Sequence, residues 1–228
     1  MNTQQNTATD LTLDTLTNAL SRADALDDAL MHAIDADHFQ PFDQSDRIRL
    51  SVAAASVALD HGRAMRVLVA EGLMASAFSL MRLQHEALTR SIWLLYAADD
   101  VAIGKLSAPL TKEAELAAAK LPMMSDMLKQ LAHKPAAAQA LAGLQAFKEN
   151  NAPALNSFVH GGIHALQRHA QGFPLSLVEG LLRNANGLML MTTMMLAILS
   201  GRPALVHAVS QLQRTFATDL PTEAVSAS

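Results

Sequence analysis

Apolar residues recur at helical spacing along almost the whole chain. Leu13, Leu16, Leu20, Leu26 and Leu30 fall on one face of a helix predicted from about Leu11 to Ile34, and the stretch from His38 to Pro41 breaks it. Asp43 stands where it can cap a second helix over 44–70, in which Ala53, Ala54, Ala55 and Ala58 permit close helix contact. A third helix is predicted over 73–98, ending at the acidic pair Asp99 and Asp100. Pro109, Pro122 and Pro135 punctuate the next segment, each at a position where a short helix can begin, and the predicted pieces are 111–120, 123–133 and 136–148. Asn151 and Pro153 then open a helix reaching about Ala170. A long apolar helix over 176–200 is stopped by Gly201, and a last one runs from Pro203 to about 217. The expected fold is all-α, a helical bundle of long antiparallel helices in a single domain at 11–217. Residues 101–150 are expected as a short-helix insert or lid, with disordered polar tails at 1–10 and 218–228.

Composition narrows the function. Aromatic residues make up 4% of the chain and charged residues 17%, with a formal net charge of -4. Without a basic excess there is little counterion release to drive coating of a nucleic acid, so DNA is not an expected partner. The chain has no cysteine, which excludes disulfide frameworks, Cys-based zinc sites and thiol catalysis. MNTQQNTATD has neither a basic nor an apolar region of the kind a signal peptide needs. The most apolar run, 187–200, is short of the roughly 20 residues that cross a bilayer. A cytoplasmic protein without membrane contact is expected. No Gly-x-Ser-x-Gly is present to support serine chemistry and no phosphate-cradling glycine loop occurs, and no cofactor is expected.

Two polar stripes stand out within apolar helices. In the third helix Arg82, Glu86 and Arg90 sit at i, i+4 and i+8, on one face with Ser79 and Trp93. Most of that helix is expected to be buried, and buried unpaired charges cost several kcal/mol each, so Glu86 between two guanidiniums would hold them. Two readings stand: an internal ion pair that fixes helix register, or a site in which Glu86 orients Arg82 and Arg90 toward an anionic ligand or a partner side chain. On either reading, removing Glu86 is expected to destabilise the fold by about several kcal/mol.

The second stripe is Asn156, His160 and His164, again at i, i+4 and i+8, with Arg168 one turn further. Gly161 and Gly162 lie inside this predicted helix, and their intrinsic cost suggests a close approach to the backbone there by another helix or a ligand. An i, i+4 histidine pair can chelate a divalent ion, with Glu86 or His85 as a further ligand. The arginines around Glu86 oppose that, no Glu-x-x-His pattern is present, and no metal is expected. The methionines Met189, Met191, Met194 and Met195 read as adaptable core packing.

The Arg82-x3-Glu86-x3-Arg90-x2-Trp93-Leu94 helix and the Asn156-x-Phe158-x-His160-Gly161-Gly162 segment together resemble an uncharacterised family of all-helical bacterial proteins, over about 45–100 and 150–217 with the middle unmatched. That resemblance implies a helical bundle and no assigned reaction. A broader similarity is to the HEPN superfamily, several of whose dimeric bundles cleave RNA as toxins or phage-defence effectors. It implies Asn156 as substrate-positioning residue and His160 as metal-independent acid or base, with two protomers joined about a twofold axis. Leu155 stands where that superfamily carries an arginine, and Arg82 or Arg90 could supply the guanidinium from a neighbouring helix. The favoured expectation is a non-enzymatic, dimeric binding or sensing module for a small anionic ligand or a protein partner, using Arg82, Glu86, Arg90 and His164. RNA is a partner only on the HEPN-like alternative, and a metal-dependent bundle enzyme is a second alternative.

Overall fold

The helical spacing is realised as ten α-helices in the computed structural model, which describes the backbone of residues 2–221 and the side chains of residues 14–221. They are α1 (Asn2–Ala33), α2 (Asp46–Ala70), α3 (Met74–Tyr96), α4 (Asp100–Ser107), α5 (Lys112–Ala118), α6 (Met124–Leu131), α7 (Ala138–Val159), α8 (Ile163–Gln171), α9 (Leu175–Leu199) and α10 (Pro203–Thr215). Three short 3-10 turns, Ala36–His38, Pro135–Ala137 and Ala217–Asp219, complete the order, and no strand occurs among the described residues. The fold is an all-α bundle.

Its spine is the antiparallel hairpin of α2 and α3. Small residues let the two helices approach: Ala55, Ala58 and Ser51 of α2 are fully buried against α3. Ser51 Oγ donates to Ser91 O and Ser91 Oγ donates to Ser51 O, each at 2.8 Å, so both hydroxyls are satisfied inside the helix contact. Arg47 finishes the hairpin by donating from Nη1 to the carbonyls of Leu94 (2.8 Å) and Ala98 (2.7 Å), which are orphan acceptors at the end of α3. Apolar α9 packs across α1, α2 and α3, and α10 covers its outer side. Met189 and Met195 of the methionine group are buried there, and Met191 and Met194 are partly so. The segment expected as an insert contributes Met127, Leu131 and Leu144 to the same core, with α6 and α7 lying on α3.

Several local expectations change. Ser45, not Asp43, caps α2, accepting from Ile48 N, while Asp43 Oδ1 accepts from Ser45 N and these bonds hold its carboxyl below the usual range. Residues 2–10, expected as a polar tail, continue α1, since extending a formed helix gains one backbone bond per residue fixed. At the other end, residues 218–220 dock on the bundle rather than trailing from it. Arg22 clasps the Asp219 carboxylate, Asn186 Nδ2 donates to Asp219 O at 3.0 Å, and Leu220 is buried. The rest of that expected tail, 222–228, lies outside the described residues.

The largest change is at Asn151 and Pro153. They do not start a helix; Pro153 lies inside α7, at an exposed position, and the helix continues through it to Val159. Buried Leu155 and Phe158 beyond the proline anchor that last turn to the core, and their packing outweighs the one backbone bond that proline removes. The break falls instead at His160–Gly162, between α7 and α8.

Candidate functional site

The two glycines that interrupt the second stripe have separate physical reasons. Gly161 has φ +63°, a left-handed cap for α7, and Gly162 N donates to Ser157 O at 2.7 Å across the turn. Gly162 is small because Ser157 stands against it: an added Cβ would lie 2.7 Å from Ser157 Oγ. That same Oγ accepts from His164 N at 2.9 Å and so caps α8. The close approach expected from the sequence is therefore made by the chain's own serine.

This turn separates Asn156 and His160, on the last turns of α7, from His164 on α8, so the three do not form one continuous helical stripe. An aromatic cluster then decides where they go. Phe158 stacks on Phe78 of α3 with ring centroids 4.6 Å apart, and Phe173 stacks on both rings. Phe78 lies one turn before Arg82, so the stack brings the end of α7 beside the first polar stripe. Arg82 Nη1 stands 3.5 Å from His160 Nε2, and because a guanidinium only donates, that imidazole nitrogen accepts. Arg82 Nε donates to Glu86 Oε1 at 2.9 Å, which fixes the guanidinium plane. His164 is tilted against Phe158 at 6.4 Å.

Two segments separated by 78 residues thus converge, but not in a dry interior. The Arg82 and Glu86 side chains are 24% and 35% exposed, and Asn156, His160 and His164 lie on the surface. The expected carboxylate between two guanidiniums is half formed: Glu86 pairs with Arg82, and Arg90 has no ion pair among the described residues. Arg90 is half-buried and Asn156 makes no side-chain hydrogen bond there. Ser79 bonds its own helix at Ala75 O, and Trp93 is buried, donating to Gln130 Oε1. Of these side chains only Trp93 borders a cavity, a recess it shares with residues 97–134 and which Arg82, Glu86, Arg90, Asn156, His160 and His164 do not line.

His85, weighed as a metal ligand, is buried and used otherwise. Its Nε2 donates to Leu144 O at 3.1 Å and its ring stacks on Phe147. Burial pushes its pKa down to about 4, with the nearby Lys148 charge acting the same way. Among the described residues no three histidine or carboxylate side chains gather as a metal site would require. No helix there is long and apolar enough to cross a membrane.

The buried ionic network that sequence reasoning placed on α3 lies between α1 and α2. Arg66 donates from Nη2 to Asp27 Oδ2 (2.6 Å) and from Nε to Asp24 Oδ1 (3.0 Å), and Arg63 grips Asp27 from the other side. The missed signal was a pair of matching i, i+3 motifs, Asp24/Asp27 and Arg63/Arg66, on helices both predicted to pack inward.

With this geometry in view, comparison with known proteins gives one finding. A family model described as a family of unknown function (DUF6988) matches residues 55–222. The chain belongs to the DUF6988 family. The bounds of the match take in Arg82, Glu86, Arg90, Asn156, His160 and His164, and also 101–150, which the sequence resemblance had left unmatched. Searches of curated proteins and of solved structures found no match. Membership of DUF6988 assigns no reaction, so the site must be interpreted from its own chemistry.

Proposed function

We propose that this chain is a non-enzymatic binding module whose Arg82–His160 face takes up an acidic segment of a protein partner. The observation that carries the reading is the approach of Arg82 to His160 across α3 and α7, with Glu86 fixing the arginine from behind. Arg90, one turn further along α3, adds a cation without a partner among the described residues. Arginine forks suit carboxylates, which they grip through two parallel N–H bonds. An open face favours a protein over a small molecule, because small-ligand sites enclose most of their ligand. Leu83, Ile163 and Leu166, chain neighbours of the polar groups, are 38%, 63% and 67% exposed and supply apolar contact beside the charges. A labelled oligoglutamate peptide followed by fluorescence anisotropy tests this. Binding should be saturable, salt-sensitive and weakened by Arg82→Ala and Arg90→Ala.

The same approach of Arg82 to His160 favours one second reading, the HEPN-like ribonuclease. Arg82 supplies from α3 the guanidinium that Leu155 does not, and would stabilise negative charge developing on a phosphate. His160 would take or give the proton without a metal, and Asn156 would position the substrate. Two copies would meet through their α7–α8 ends. Cleavage of a labelled RNA in the presence of a chelator, lost in a folded His160→Ala protein, would establish this reading in place of the first.

A further inference from the structure

The middle segment builds a second candidate site, independent of the Arg82 face. A recess of about 470 Å³, within the range of small-ligand pockets, is bordered by Lys105 of α4, Lys120 between α5 and α6, and Lys134 after α6. These lysines are far apart in sequence and meet because three short helices end around one hollow. Lysines at helix C-terminal ends ordinarily answer the helix dipole. Here none of the three ammonium groups bonds a carbonyl or a carboxylate among the described residues, whereas Lys129 nearby is paired with Asp126. Asp99, the carboxylate that borders the recess, is already engaged: its Oδ1 accepts from Ala102 N at 2.7 Å and caps α4. Three like charges around one concave site repel each other and attract an anion.

Apolar side chains also line the recess, Val101, Leu121 and Pro122 together with the buried Trp93. Trp93 is fixed by Nε1 donating to Gln130 Oε1 at 2.6 Å. We propose that this recess binds a small organic phosphate, a phosphomonoester whose phosphate sits among Lys105, Lys120 and Lys134 and whose apolar body packs on the recess's apolar lining. A phosphomonoester carries close to two negative charges at neutral pH and suits several point-charge ammonium groups. A lone carboxylate would use them poorly, and no arginine borders the recess to grip one bidentately.

Trp93 is the single tryptophan of the chain and lines this recess, so tryptophan emission reports on its surroundings. Phenyl phosphate is the probe, with benzoate and inorganic phosphate as comparators. The expected result is a saturable change in Trp93 emission that is tightest for phenyl phosphate and unchanged by Arg82→Ala. The Lys105→Gln/Lys120→Gln/Lys134→Gln protein should bind it at least about tenfold more weakly. If that protein loses its helical circular dichroism, the charge reversal Lys120→Glu, at an exposed position, must still weaken binding severalfold. The proposal is overturned by the absence of a saturable response to phenyl phosphate, by an equal response to benzoate, or by undiminished binding in the lysine variants. Binding to phosphatidic acid vesicles without binding of phenyl phosphate also overturns it, because the ligand would then be a lipid surface.

Discussion

Asp27 Oδ2 lies 2.6 Å from Arg66 Nη2, and both side chains are withdrawn from solvent, at 10% and 8% exposure. This is the buried ion pair of the molecule's α1–α2 contact, and its energetics are asymmetric. Two buried charges that meet well roughly balance their own desolvation, but one left alone does not. Asp27→Ala leaves buried Arg66 with only the largely exposed Asp24, and should therefore destabilise the protein by about 3 kcal/mol and lower its Tm by roughly 10 °C. Thermal unfolding followed by circular dichroism checks this, and a change below about 1 kcal/mol would mean that water reaches Arg66.

Glu86 behaves differently because its partner is half in water. The sequence led to an expected loss of about several kcal/mol on removing Glu86, on the premise of a dry arginine–glutamate–arginine stripe. With Arg82 and Glu86 partly exposed and Arg90 outside the pair, Glu86→Ala should cost less than about 1 kcal/mol. Its consequence is for binding: Arg82 loses the acceptor that fixes its plane, so affinity for an acidic peptide should fall while Tm hardly moves.

His85 makes stability depend on pH. Burial lowers its pKa from 6.5 to about 4, so the folded state holds it neutral where the unfolded chain would bind a proton. A depressed folded pKa contributes stability that is fully present above 6.5 and is lost as pH falls from there toward 4. Between pH 7 and 5 this one group should remove about 2 kcal/mol. His85→Gln, which can still donate to Leu144 O, should abolish that part of the acid sensitivity, as measured by denaturant unfolding at the two pH values.

The α7–α8 turn is set by Gly161. At φ +63° an alanine is strained, so Gly161→Ala should cost about 1 kcal/mol, and Gly161→Asn less. Because His160 is the residue before this turn, the alanine variant should also weaken binding at the Arg82 face; unchanged stability in denaturant unfolding would show that the turn rearranges freely.

The elements of the fold were legible wherever periodicity was strong. The α3 limits lie within two residues of those read from the apolar spacing, and α9 within one. Reading failed where a local rule competed with packing. Pro153 has the chemistry of a helix start, yet Leu155 and Phe158 hold α7 together beyond it. The Gly161–Gly162 pair was read as a contact point inside a helix, although a left-handed Gly161 is equally a helix end. For the site, spacing correctly put Arg82 and Glu86 in register but could not say which way their face pointed. That direction depends on how α7 docks through Phe158, a contact between residues 80 apart in the chain. The lysine-bordered recess was invisible for the same reason, since its cations share no helix.

Binding of a labelled oligoglutamate peptide, compared between the wild-type protein and Arg82→Ala at low and moderate salt, tests the proposed function most directly. The account predicts saturable binding to the wild type that weakens with salt and falls roughly fivefold or more in the variant, with no shortening of a labelled RNA. Equal affinity for both proteins, or RNA cleavage that disappears in folded His160→Ala, would contradict it.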